Sequence, residues 1–146
     1  MSEAPETLRL ARMWVEKAEE DFLVAELLLS PDEGCPFSTV CFHAQQSVEK
    51  YVKALLVSRA IAFPKVHDIG ELLELEPASI EIPLSTEEQE QLTFYATTAR
   101  YPGEYEPISR GEAEEMVAAA KKLRDAVRAH LPKEALNVPN DPPLPQ

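Results

Sequence analysis

Four polar side chains recur at intervals of three or four residues along the segment CFHAQQSVEKYVKALL, residues 41–56: His43, Gln46, Lys50 and Lys53. At that spacing an imidazole, an amide and two ammonium groups share one face of a helix. Such a set could contact the phosphate and the base edges of a nucleotide. The alternative is an ordinary solvated face, on which Glu49 and Lys53 form a weak i,i+4 pair. Periodicity alone does not separate these two interpretations.

Apolar residues at helical spacing run along nearly the opposite side of the same segment: Phe37, Val40, Ala44, Val48, Tyr51 and Leu55. This pattern predicts an amphipathic helix. The same spacing from Leu8 to Leu29, and again from Ala113 to Leu131, predicts two further long helices.

Helix starts are marked by a Ser or Asp with a Glu three positions later: Asp68 and Glu71, Ser85 and Glu88, Ser109 and Glu112. These pairs predict a short helix, a helix that runs towards Arg100, and the last long helix. No segment alternates as a strand does. We therefore predict an all-α protein, an antiparallel up-and-down bundle of four to five helices over residues 1–132. The proline-rich residues 133–146 are predicted to form a flexible tail.

The composition is acidic, with 14 Lys and Arg against 26 Asp and Glu, a formal charge of -12. Such a surface repels nucleic acid, so RNA is the less expected partner. No apolar run approaches the ~20 residues that span a bilayer, and the N-terminus has no signal-peptide pattern. We expect a soluble cytoplasmic protein with no membrane partner. Cys35 and Cys41 have neither metal-ligand spacing nor a disulfide framework, and we predict no metal and no cofactor.

Four segments resemble, in order and spacing, the HEPN domain family: WVEKAEEDFLVAELLL (14–29), FHAQQSVEKYVKALL (42–56), KVHDIGELL (65–73) and ARYP (99–102). The resemblance runs from about Leu8 to Leu131. It implies a small helical bundle that usually forms homodimers. It also implies association with a minimal nucleotidyltransferase partner, often as toxin and antitoxin. The family has been associated with nucleotide binding, and many members are metal-independent ribonucleases.

The ribonuclease members resemble one another in an Arg that is followed, after four to six residues, by a His. In such a pair the His acts as acid or base and the Arg stabilises the charge of the phosphorane. The equivalent Arg in this chain is Arg100, and the required offsets hold Tyr105, Glu106 and Pro107. If the chain is a nuclease, we expect Arg100 and Tyr105 to form a degenerate site.

One literal match to that pattern exists, from Arg124 to His130, at the end of the last predicted helix. There the helix dipole is the better explanation for His130. Likewise, His67 and Asp68 match a Lys-x-His-Asp motif of the family. Asp68 is expected to cap a helix, and His67 is either a hydrogen-bonded joint residue or a ligand contact.

Three functions therefore stay open, and whether the chain is an enzyme stays open with them. The first is a non-catalytic homodimeric binding module for a nucleotide, for a minimal nucleotidyltransferase partner, or for both, in a toxin–antitoxin setting. The second is a metal-independent ribonuclease toxin with a degenerate site. The third is a structural or adaptor dimer. The candidate ligand-binding residues are His43, Gln46, Lys50, Lys53, His67, Arg100 and Tyr101.

Overall fold

A computed structural model describes residues 3–29, 34–75, 81–97, 103 and 106–136. These residues contain six helices and no strand: α1 Glu3–Leu28, α2 Phe37–Ser58, α3 Ile69–Leu73, α4 Thr86–Ala96, α5 Arg110–Ala129 and α6 Lys133–Leu136. The prediction of an all-α helical bundle is confirmed. Of the helices described, none combines the length and the apolar character that crossing a membrane requires.

Helices α1 and α2 run antiparallel. The contacts between them pair decreasing residue numbers on α1 with increasing numbers on α2. Asp21 contacts Lys50, the next contact joins Glu19 to Tyr51, and Trp14 lies against Lys53. Antiparallel packing of neighbours along the chain is what short connections favour.

Helix α2 is the centre of the core. Residues without accessible surface lie on several of its sides: Val40, Ala44, Val48, Tyr51, Val52, Ala54, Leu55 and Leu56. Helices α1, α4 and α5 all pack against it. Because α2 is covered on more than one side, part of its polar face is buried as well. Buried polar groups need partners within the protein, and this requirement shapes the site described below.

The three predicted helix starts are confirmed. Side-chain oxygens of Asp68, Ser85 and Ser109 each accept a hydrogen bond from the backbone N–H three residues on, at 2.9, 3.0 and 3.1 Å. Each bond satisfies a donor that the first turn of a helix leaves free. Helix α4 ends at Ala96, however, short of Arg100. Two threonines follow Ala96 in the sequence, and their low helix propensity favours an early end.

The prediction of a flexible tail over residues 133–146 was wrong for its first four residues. Residues Lys133–Leu136 form α6, and Ala135 has no accessible surface. The Arg12 side chain on α1 donates a hydrogen bond of 3.0 Å to the carbonyl oxygen of Glu134. Helix α6 packs on α1, although the surrounding sequence is rich in proline. Residues 137–146 lie outside the described residues.

Candidate functional site

The polar face of α2 is divided between two carboxylates, and the first belongs to Asp21 of α1. Its Oδ2 accepts a hydrogen bond of 2.7 Å from Lys50 Nζ, and its Oδ1 lies 2.8 Å from His43 Nδ1. We call these three residues the Asp21 cluster. The cluster joins α1 to α2, and the carboxylate neutralises the Lys50 ammonium.

The second carboxylate is that of Glu49, on α2 itself. It accepts hydrogen bonds of 2.8 Å from Gln45 Nε2 and from Lys53 Nζ, and His67 Nδ1 lies 3.1 Å from both of its oxygens. Gln46 donates in turn to the Gln45 amide oxygen at 2.7 Å. We call these five residues the Glu49 cluster. The prediction that His67 is a hydrogen-bonded joint residue is confirmed; a ligand role is untested.

Glu49 is ionised within this cluster. Burial alone would raise the pKa of Glu49, but hydrogen bonds from Lys53, Gln45 and His67 outweigh it and hold the pKa below its ordinary value. The side chain is only 4% exposed, and that of Lys53 is 8% exposed. Glu49 and Lys53 therefore form a buried ion pair. The interpretation of these two residues as a weak pair on a solvated face was wrong.

Two aromatic rings cover Lys53 from the side of α1 and the loop after α2. The ammonium lies 5.4 Å from the ring centroid of Trp14 and 5.6 Å from that of Phe63. The two rings meet edge to face with centroids 6.2 Å apart. Both contacts have the geometry of a cation–π interaction. Trp14 is partly buried and packs against the core.

These contacts limit which side chains on the polar face of α2 are available to bind a ligand. Moving Lys53 onto a ligand phosphate would leave Glu49 as an unpaired buried charge, which costs several kcal/mol. Lys50 is restrained in the same way by Asp21, though it is more exposed. Of the two imidazoles in these clusters, that of His67 is the more exposed. Across the described part of the chain, no group of three or more His, Cys, Asp or Glu side chains is arranged to hold a metal ion.

The predicted ligand-binding residues do not form one continuous strip. His43 and Lys50 belong to the Asp21 cluster, and the Glu49 cluster holds the other three that are described: Gln46, Lys53 and His67. Arg100, Tyr101 and Tyr105 lie outside the described residues.

Sequence reasoning missed the two organising carboxylates. Asp21 occupies a position three residues after Ala18 and four before Ala25, both of which have no accessible surface. An acidic residue at that spacing is a signal that it will meet a cation in the core. Glu49 carries no such signal, because it lies among polar neighbours on a helix that the rest of the fold covers.

The literal Arg–His match at the end of α5 does not form a pair. Arg124 donates to both oxygens of Glu19, at 2.6 and 3.0 Å, and the Tyr51 hydroxyl also donates to Glu19. Ionisation of Glu19 holds the pKa of Arg124 above its ordinary value. His130 Nδ1 lies 3.0 Å from the carbonyl oxygen of Ala126, at the end of the helix. Arg124 thus joins α5 to Glu19 of α1, which also accepts from Tyr51 of α2, while His130 caps α5.

A family model described as "HEPN domain" matches residues 11–130 of this chain, well over half of it. The chain belongs to the HEPN family. The resemblance drawn from the four sequence segments is thereby confirmed.

Individual relatives agree with this assignment. The chain is 26% identical over 147 aligned positions to a protein of Methanocaldococcus jannaschii named "Putative toxin MJ1304", covering 90% of this chain and 94% of that protein. It is also similar to the crystal structure of TT1696 from Thermus thermophilus, with a TM-score of 0.71 and 29% identity, over 83% of this chain and 98% of that one. A second solved structure, of an archaeal HEPN homologue, gives a TM-score of 0.64 and 28% identity, over 82% and 96% of the two chains.

Proposed function

We propose that this HEPN protein is one component of a toxin–antitoxin pair. We further propose that it acts as a homodimeric binding module for a nucleotide, for a minimal nucleotidyltransferase partner, or for both. The toxin name of the M. jannaschii relative supports the setting. The partner and the nucleotide are what the family resemblance implies.

The observation that carries this proposal is the missing Arg–His pair. Tyr105, Glu106 and Pro107 occupy the offsets after Arg100 at which ribonuclease members have a His. The one literal match fails because Arg124 binds Glu19 and the His six residues later bonds to a backbone carbonyl. Without a His at those offsets, RNA cleavage lacks its usual acid and base. Binding is then the function that the remaining polar groups support.

The negative charge of the chain also favours binding a small ligand over cleaving RNA. The chain has a formal charge of -12, and the lysines of the two clusters are already neutralised by carboxylates. Affinity for long nucleic acid depends on cations that displace counterions from phosphates. A small nucleotide held by a few oriented groups does not need such a surface, so RNA remains the less favoured partner.

The nuclease alternative is tested with the purified full-length protein, incubated with RNA in EDTA. We expect no cleavage from the wild type, from Arg100→Ala or from Arg124→Ala, because no His stands at the required offsets after Arg100 and Arg124 binds Glu19. Metal-independent cleavage that disappears in Arg100→Ala and persists in Arg124→Ala would contradict the proposal. That outcome would establish the degenerate ribonuclease site at Arg100 and Tyr105.

The binding proposal has its own measurement. Light scattering during size exclusion gives the mass of the chain alone and of the chain mixed with a minimal nucleotidyltransferase from the same organism. We expect a homodimer that forms a larger complex with this partner, or that binds ATP in a separate calorimetric titration. A monomer that binds neither the partner nor ATP would refute the binding module.

A further inference from the structure

The Glu49 cluster buries two ionised groups beneath one exposed imidazole. The Glu49 and Lys53 side chains are 4% and 8% exposed, whereas that of His67 is 58% exposed. A buried ion pair stabilises a fold no better, in general, than apolar residues of the same volume. Fold stability alone therefore gives no reason for this arrangement. Coupled ionisable groups that open to solvent at one atom are typical of functional sites.

The carboxylate determines the tautomer of His67. An ionised carboxylate only accepts hydrogen bonds, so the proton of the neutral imidazole must lie on Nδ1. The lone pair is then on Nε2, and no residue in the described ranges bonds to that atom. A ring that carries a proton on Nε2 as well keeps its Nδ1 contact with Glu49 and points a second N–H at solvent. An anion that binds at this exposed nitrogen favours its protonation, because only a protonated Nε2 can donate a hydrogen bond to the anion.

The charges around His67 favour an anion once that proton is bound. Glu49 and Lys53 from α2 neutralise each other, and Asp68 accepts the cap hydrogen bond of α3. Lys65 is exposed two residues before His67, and it forms no ion pair with any described residue. Protonated His67 and Lys65 together match the charge of a phosphate ester.

The direction in which such a ligand extends is set by the surrounding surface. A cleft of about 630 Å³ begins at Asp68 and is lined by three further carboxylates: Glu71, Glu74 and Glu90. This acidic cleft repels an anion. On the other side, the Glu49 cluster continues through Lys53 to the half-buried rings of Trp14 and Phe63. A nucleoside attached to the phosphate would extend towards these apolar rings and away from the acidic cleft.

We propose that Nε2 of His67, oriented by Glu49, is the phosphate contact of a nucleotide-binding site, and that nucleotide binding takes up a proton at this atom. The inference deepens the proposed function and rests on its nucleotide branch. His67 is the ligand contact, and Glu49 is a positioning residue that acts through it.

Isothermal titration with ATP in EDTA, in two buffers of different ionisation enthalpy, tests this proposal on the full-length protein. We expect net proton uptake by the wild type, and affinity that falls as the pH rises from about 6 to 8. His67→Gln should abolish the uptake and weaken binding by about tenfold or more, the loss expected for a charge-assisted hydrogen bond. The matched control is His130→Gln, because that ring also bonds through Nδ1, but to the neutral carbonyl of Ala126. It should behave as the wild type does.

Glu49→Gln tests the orienting role and should lower proton uptake. Because this change leaves Lys53 unpaired, the double variant Glu49→Gln with Lys53→Met is measured as well. If His67→Gln binds ATP with wild-type affinity and uptake, the inference is overturned while the binding module survives. If the wild type binds no ATP, the inference is also overturned, and the proposed function then rests on the protein partner, which size exclusion tests separately.

Discussion

At the scale of single residues, burial increases the free energy that is lost when one partner of the Glu49–Lys53 pair is removed. An exposed i,i+4 pair contributes a few tenths of a kcal/mol. Here both side chains are almost fully buried, and aromatic rings lie against the ammonium. Removing one partner leaves the other as a buried charge, and such changes cost about 3–5 kcal/mol. The pair is thus far more sensitive to substitution than its spacing suggests.

Lys53→Met should therefore lower the free energy of unfolding by about 3 kcal/mol or more. Urea denaturation provides the measurement. The matched control is Lys121→Met, which removes an exposed i,i+4 contact of 3.2 Å to Asp125, with side chains 59% and 53% exposed. That change should cost less than about 0.5 kcal/mol. Equal losses in the two variants would show that the Glu49–Lys53 pair is not buried as described.

Acid should destabilise the protein through Glu49 and Glu19. Burial raises the pKa of both, but hydrogen bonds from Lys53 to Glu49 and from Arg124 to Glu19 help to bring each below its ordinary value. Their contribution is present above the unfolded pKa of about 4.3 and is lost as the pH falls through the lower folded values. The urea concentration at the unfolding midpoint should decrease when the pH is lowered below about 4. The decrease should be smaller in Lys53→Met, in which Lys53 no longer lowers the pKa of Glu49. A midpoint that stays constant down to about pH 3 would contradict this linkage.

At the scale of elements, the helix starts depend on local hydrogen bonds that the sequence specifies within four residues. Two reciprocal hydrogen bonds cap the start of α4. Ser85 Oγ accepts from the Glu88 N–H at 3.0 Å, and Glu88 Oε1 accepts from the Ser85 N–H at 2.9 Å. Each bond satisfies a donor that no other part of the helix reaches.

Ser85→Ala should cost about 1 kcal/mol of unfolding free energy, since it removes the side-chain acceptor of this cap. Glu88→Gln is the control, because an amide oxygen can still accept the hydrogen bond from the Ser85 N–H. Thermal unfolding followed by circular dichroism compares the two variants. A larger effect of Glu88→Gln would mean that charge, and not the cap hydrogen bonds, holds this end of α4.

At the scale of the whole molecule, the fold continues beyond the last long helix. Helix α6 packs on α1 through the fully buried Ala135 and through the hydrogen bond from Arg12 to the Glu134 carbonyl. Chain ends that are tied down in this way belong to the cooperative unit. The structural domain therefore includes at least one turn of the segment that the sequence assigned to a tail.

A chain truncated after Pro132 should therefore be less stable than one truncated after Leu136. The difference is about 2 kcal/mol, from one buried alanine, one partly buried leucine and one hydrogen bond. Chemical denaturation of the two truncated chains isolates α6, because both lack residues 137–146. Identical stabilities would show that α6 does not contribute to the folded unit.

The sequence alone determined five of the six helices described, the starts of three of them, and the family. Helical periodicity and capping pairs act over a few residues, so they can be recognised without knowledge of the partners. It also identified His43, Gln46, Lys50, Lys53 and His67 as the polar residues of interest. It missed Asp21 and the docking of α6, because each depends on what a distant helix presents.

Only the tertiary structure decided how those polar residues are used. Glu49 is buried on α2, the helix against which α1, α4 and α5 pack, and the loop after α2 brings His67 to this carboxylate from 18 positions away. A carboxylate in that environment must gather donors, and this need neutralises Lys53 and orients the imidazole. Whether a lysine is free or paired depends on the burial of its neighbours, which no local pattern encodes.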